Sequence, residues 1–280
     1  MKYPLNMDTE WQNLIQEIFE DYFFCASIGG RGAFFICESN MDIDVLIILK
    51  DSILNDLKIF QEKWKKFVAG YRDIHLKYNF LADPEFSGDF ISVSQAYDSV
   101  NGRGFTEKNG QIFIKSMESI DDENDENDYL IFLSMFMGGR FLCGNNSFWE
   151  ETKENAFLMA VKYLFLEDEK MDMLTLQKKF YSKKEKTLFG FDLRYGDKFM
   201  NMSETYIQNA LEKLVRNKFI TEKNNIYEVT DNLKNFGKNI LSRNFTAKHL
   251  MPFKDPFFVK ERKKIFDNIN AKSHWEKMEN

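Results

Sequence analysis

Ile28-Gly29-Gly30 is followed by eleven residues and then by Asp42-Ile43-Asp44-Val45. Along an extended chain residues i and i+2 share a face, so Asp42 and Asp44 point the same way while Ile43, Val45, Ile47 and Leu49 point into a core. Two carboxylates that close repel each other unless a cation lies between them. Mg²⁺, or Mn²⁺ in its place, suits such a pair: it takes one or two carboxylates and completes its octahedron with water and phosphate oxygens. The glycines supply the other half. A Gly-Gly turn lets backbone N–H groups hold a phosphate, most favourably where a helix starts. A phosphate cradle beside a metal-binding pair is what transfer from an NTP needs. Arg31, directly after the glycines, is a candidate phosphate contact, since its guanidinium is always charged.

The elements that must position these residues follow from hydrophobic spacing. Trp11, Leu14, Ile15, Ile18, Phe19 and Tyr22 have helical spacing and predict a helix over 8–24, with Asp8 or Thr9 as cap. A short strand over 25–28 leads into the glycine turn, a short helix follows over 31–37, and 42–49 is the strand carrying the acids. Residues 52–72 read as a helix capped by Ser52. An extended segment, Phe80–Phe86, then leads through the turn Ser87-Gly88-Asp89 to the apolar stretch Phe90–Val93.

The stretch from Ser27-Ile28-Gly29-Gly30 to Asp42-Ile43-Asp44-Val45 resembles the signature of the DNA polymerase β-like nucleotidyltransferase superfamily, over roughly residues 10–105. Many members carry Ser where this chain has Gly30. The resemblance implies a mixed sheet flanked by helices, transfer of an NMP from an NTP, and a third carboxylate on a later strand. Asp83 is the first candidate for that carboxylate, then Asp89, then Glu85. Pro84 marks the Asp83 segment as an edge or interrupted strand. A third carboxylate would accept the proton of an attacking hydroxyl or complete a second metal site.

Asn101-Gly102-Arg103-Gly104 reads as a tight turn around Arg103, which would contact the triphosphate or the acceptor, or would simply be an exposed turn residue. Gly138-Gly139-Arg140 lies in the apolar stretch 129–142, read as a buried helix. Cys25, Cys37 and Cys143 have no CxxC spacing, and three scattered histidines are too few for a His-based metal site.

With 280 residues and 29 Phe the chain can bury a sizeable core. No apolar run is long enough to span a membrane, and the opening residues lack the form of a secretory signal, so a cytoplasmic protein is expected. Residues 1–150 hold 13 basic and 25 acidic side chains, and 151–280 hold 25 and 19, an asymmetry expected of two parts with different jobs. The run 118–128 carries seven acids in eleven residues and reads as a solvated boundary without the Gly and final Glu of a calcium loop. The expected class is α+β: a catalytic domain over 1–128 and a mainly helical domain over 129–280 that walls the acceptor side.

In the second half 152–167 reads as a helix. Ser203–Asn217 as a helix, then Phe219–Lys223, Asn224-Asn225 and Ile226–Thr230 as a hairpin, resemble a winged helix. Glu204 and Glu212 against Lys213 and Arg216 make a poor footprint for a duplex. Lys260, Arg262, Lys263 and Lys264 lie near Phe257, Phe258 and Phe266. They form either an amphipathic helix packed back on the first domain, which is favoured, or a guide for a nucleic acid. The expected activity is NMP transfer to a hydroxyl acceptor. A small molecule is favoured, with tRNA or protein as alternative acceptors and a non-catalytic nucleotide-binding module as the remaining one.

Overall fold

The computed structural model describes residues 3–37, 41–82, 87–103, 105–108, 111–114, 128–180, 196–243, 245, 247–248, 250–251 and 255–267. Two compact units interleave along the chain: Met1–Gln95 with Gly139–Asn146 and Lys248–Asn280, and Ala96–Gly138 with Ser147–Ala247. The expected division at 128 is thus replaced by several crossings, for two physical reasons. A strand at 140–144 completes the first unit's sheet, and the C-terminal helix packs on that unit's core.

The first unit opens with α1 (Met7–Phe19), which buries Met7, Trp11, Ile15 and Phe19 on one face. Asn6, not Asp8 or Thr9, stands at its N-cap. A single 3₁₀ turn leads to β1 (Phe23–Ile28), and a second one (Gly30–Phe34) follows the glycines. Next come β2 (Val45–Leu49), a third 3₁₀ turn (Asp51–Asn55) and α2 (Leu57–Lys77). The cap of α2 is Asp56, not Ser52: its carboxylate accepts from the N–H groups of Lys58 and Ile59 at 3.1 and 3.2 Å. Such a cap contributes about 1 kcal/mol. The α2 stripe Phe60, Trp64, Phe67, Tyr71 and Ile74 keeps helical phase and is buried. β3 (Asp89–Ser92) precedes α3 (Val93–Val100), within which the chain passes into the second unit.

The second unit continues with the hairpin β4 (Phe105–Lys108) and β5 (Gln111–Ile114) and with α4 (Asp128–Gly138). The chain then returns to the first unit for β6 (Arg140–Gly144), so Arg140 lies in a strand rather than in the buried helix expected over 129–142. Four strands form a mixed sheet in the order β3-β2-β1-β6. β1 is antiparallel to both neighbours, and β3 runs parallel to β2.

The rest of the second unit is α5 (Asn146–Glu167), β7 (Lys170–Asp172), α6 (Met173–Phe180), α7 (Gly196–Arg216), β8 (Ile220–Lys223), β9 (Ile226–Val229) and α8 (Asp231–Ile240). Its short strands form an antiparallel sheet in the order β7-β9-β8. Phe157 stacks on Tyr206 with ring centres 5.0 Å apart, joining α5 to α7.

The chain ends its described course in α9 (Pro256–Phe266), capped by Asp255 with Pro256 at the first position. Phe258 meets Trp64 of α2 edge-on at 4.9 Å, and Arg262, also buried, lies 5.6 Å from the same ring system. The favoured expectation for this segment, a helix packed on the first domain, matches the fold. Its basic run is divided: Lys260, Lys263 and Lys264 face solvent, and Arg262 faces the core. Among the described residues no helix is long and apolar enough to cross a membrane.

Candidate functional site

β1 ends at Ile28, and the chain turns at once. Gly29 is extended, and Gly30 is left-handed at φ +51°. The Gly29 N–H donates to the Asp44 carbonyl at 2.8 Å. A Cβ on Gly30 would collide with the Asp44 carboxylate. Glycine is therefore favoured at 30 by its left-handed backbone, and any larger residue would have to move the Asp44 carboxylate. Two residues later, a Cβ on Gly32 would meet Ile28 at 2.6 Å and Ile43 at 3.3 Å. The turn packs directly on the segment carrying the two aspartates. The Gly29 N–H is thereby engaged within the chain itself.

Asp42 and Asp44 lie just ahead of β2 rather than inside it. Their half-buried side chains contrast with Ile43, Val45, Ile47 and Leu49, all fully buried in one core cluster, as the alternation predicts. The segment is held by scattered backbone ties. The Met41 carbonyl accepts from the Leu81 N–H at 2.9 Å, and the Ile43 N–H donates to His75 Nε2 at 3.0 Å.

Sheet register assembles the rest of this face. Leu46 pairs with Ser27 on one side and with Asp89 on the other. Paired residues share a face, and Asp44 precedes Leu46 by two, so Ser27, Asp44 and Asp89 lie on the same side of the sheet. Asp89 heads the strand parallel to β2. Asp83 and Glu85, the other candidates for the third carboxylate, lie outside the described residues. The Ser27 hydroxyl is buried with no hydrogen-bond partner among the described residues. Among those residues no group of three or more His, Cys, Asp or Glu is placed to hold a metal.

Arg140, at the start of β6, braces the turn. Its guanidinium binds both Asp8 oxygens, at 2.8 and 3.1 Å, and lies 4.0 Å from the Phe35 ring centre. Tyr3 donates to Asp8 at 2.7 Å. Burial alone would raise the Asp8 carboxyl, but the hydrogen bonds from Arg140 and Tyr3 outweigh it and hold the group below its usual value. Phe35 itself is left-handed at φ +55°, a costly conformation for a bulky residue, and 56% exposed. The sequence offered one signal for this brace, an arginine after two glycines. Its partner Asp8, 132 residues away, is visible only in the fold.

Arg31 is half-buried in the 3₁₀ turn, where its carbonyl accepts from the Ile36 N–H at 3.2 Å. Arg103 does not project. It pairs with Asp98 at 3.0 Å and donates to the Ala247 carbonyl at 2.6 Å, both residues of the second unit. In this structure its guanidinium forms a structural tie, and the phosphate or acceptor contact expected of Arg103 stays a proposal. The three cysteines are buried. Burial, together with nearby Cys143, pushes the Cys25 thiol up to about 12, which keeps it unreactive.

His75 belongs to no motif, and sequence spacing gives it no chemical role. Its position on the apolar stripe of α2, four residues after Tyr71, is the signal that it faces inward. Burial lowers its pKa to about 4, against a smaller opposite effect of the Tyr71 carbonyl. No protein-family model, curated protein or solved structure matches this chain.

Proposed function

We propose that the protein is a metal-dependent nucleotidyltransferase that moves an NMP from an NTP to a hydroxyl acceptor. The observation that carries this reading is the contact between the glycine turn and Asp44. The turn and the acidic segment form one closely packed unit, tied by the Gly29 N–H and by the fit of the Asp44 carboxylate over Gly30. A hairpin edge with solvated acids would make the backbone bond but has no need of a carboxylate seated over Gly30.

The oxygen donors Asp42 and Asp44 fit Mg²⁺ or Mn²⁺, which prefer carboxylates. The metal would neutralise triphosphate charge as it develops. In this reading the backbone N–H of Gly30 holds the phosphates, with Arg31 assisting. Asp89, on the strand next to β2, is the better third carboxylate on position, and Asp83 remains its competitor. The acceptor oxygen bonds to the α-phosphorus, the bond to pyrophosphate breaks, and the acceptor's proton passes to the third carboxylate.

A small cationic acceptor suits the 25 acids against 13 bases of residues 1–150. Burial of Arg262 interrupts the basic run of α9 and weakens the case for a nucleic-acid guide. The order α5-β7-α6-α7-β8-β9, with sheet order β7-β9-β8, supports a winged-helix-like module in the second unit. That module is the observation favouring tRNA or protein as acceptor instead.

The test is incubation with each labelled NTP and Mg²⁺ or Mn²⁺, offering in parallel aminoglycosides, bulk tRNA and a protein extract. Label on the small molecule, lost in Asp44→Asn, is the expected result. Label on tRNA or protein moves the acceptor to the macromolecular class. NTP binding without transfer to any acceptor replaces the enzyme with a binding module.

A further inference from the structure

The segment that carries Asp42 and Asp44 reaches the glycine turn before the ladder of β2 begins at Val45. Its backbone is tied instead at Met41, Ile43 and Asp44. The ties at Met41 and Asp44 pair main chain with main chain. The tie at Ile43 uses a side chain, and it holds the residue between the two aspartates.

That side chain is His75, fully buried near the end of α2. Its Nδ1 lies 2.8 Å from the Tyr71 carbonyl, and its Nε2 lies 3.0 Å from the Ile43 nitrogen. A carbonyl only accepts and an amide N–H only donates. The ring is therefore neutral, with its proton on Nδ1 and a lone pair on Nε2. Trp11, Tyr71 and Phe80 enclose the ring at centre distances of 5.7, 4.0 and 6.2 Å, so it has no room to turn away.

We infer that His75 is a positioning residue for the aspartate pair: its Nε2 lone pair sets the tilt of the peptide between Asp42 and Ile43, and with it the relative direction of the two carboxylates. The inference rests on the reading of Asp42 and Asp44 as metal ligands. The peptide plane has only two soft dihedrals beside it, so fixing its N–H restricts both. A group that orients ligands from behind governs metal affinity without touching the metal. Anchorage in α2, a helix of 21 residues, makes the support rigid.

The test compares His75→Phe, which keeps a ring without an acceptor, with His75→Gln, which keeps an acceptor oxygen at similar reach. Mn²⁺ titration, amide hydrogen exchange and thermal melting are read on the full chain. In His75→Phe, Mn²⁺ should bind about tenfold more weakly. Its Ile43 amide should exchange roughly tenfold faster, while Leu46–Leu49 keep their protection. His75→Gln should recover most of both. A lower melting temperature in His75→Phe with Mn²⁺ affinity and Ile43 exchange unchanged makes His75 a packing residue and overturns the inference. Should the wild type bind no Mn²⁺, the metal reading fails by itself, and Ile43 exchange still decides whether His75 positions the segment. Should His75→Phe not fold, ring-nitrogen NMR of the wild type decides: a proton on Nε2 rather than Nδ1 refutes the inference, and one on Nδ1 upholds it.

Discussion

The carboxylate of Asp44 occupies the place where a side chain on Gly30 would begin. Fourteen positions separate the two residues in the chain. A substitution at this glycine, whose φ is +51°, therefore meets both a strained backbone and the Asp44 carboxylate. Gly30→Ala is expected to lower stability by about 2 kcal/mol, from the left-handed backbone alone. It should also push Asp44 aside, so Mn²⁺ binding should fall further than the melting temperature suggests. Calorimetry and Mn²⁺ titration on the same preparation check this, and near-normal Mn²⁺ affinity would show that the contact is incidental.

The acids separate by role. Asp44→Asn should abolish metal-dependent NMP transfer and leave the unfolding free energy within about 1 kcal/mol of wild type, as for a partly exposed polar exchange. Asp89→Asn and Asp83→Asn then compete. The variant that loses turnover by a factor of about 100 or more identifies the third carboxylate. Equal, full activity in both removes that role from each.

Stability should depend on pH through His75. Burial holds its folded pKa at about 4, below the ordinary histidine value of about 6.5. The unfolded chain therefore binds the extra proton first. The contribution is complete above about pH 6.5 and is lost as pH falls toward 4, with an upper bound of about 3 kcal/mol. Asp8, held below its usual value, adds a loss in the same direction at more acid pH. Denaturant melts of wild type and His75→Phe between pH 4 and 8 test the sign. The slope between pH 6.5 and 4 should shrink in the variant, and an equal slope in both would assign it to other groups.

Two arginines should behave differently. Arg140→Lys loses the fork on Asp8 and the stack on Phe35, so it should cost about 2 kcal/mol and speed amide exchange in the glycine turn. Arg103→Gln should destabilise the second unit and leave NTP and Mn²⁺ affinity unchanged, because its partners are Asp98 and the Ala247 carbonyl. A large loss of NTP affinity in Arg103→Gln would restore the phosphate contact that its turn implies.

Read alone, the sequence determined the local elements. Period-two alternation put Ile43, Val45, Ile47 and Leu49 into one core, and helical spacing found the buried stripes of α1 and α2. These patterns are local, because a strand or helix face repeats within a few residues. The glycine pair and the acid pair were legible for the same reason. Only the tertiary structure decided what each would touch. The Asp44 fit over Gly30, the lone pair of His75 on Ile43, the brace from Arg140 to Asp8 and the packing of α9 on Trp64 all join distant parts of the chain. No periodicity encodes such contacts. The division of the chain into units was hidden for the same reason: β6 joins β1 through backbone hydrogen bonds, which depend on register in space rather than on side-chain type, so no composition shift near residue 140 announces the return.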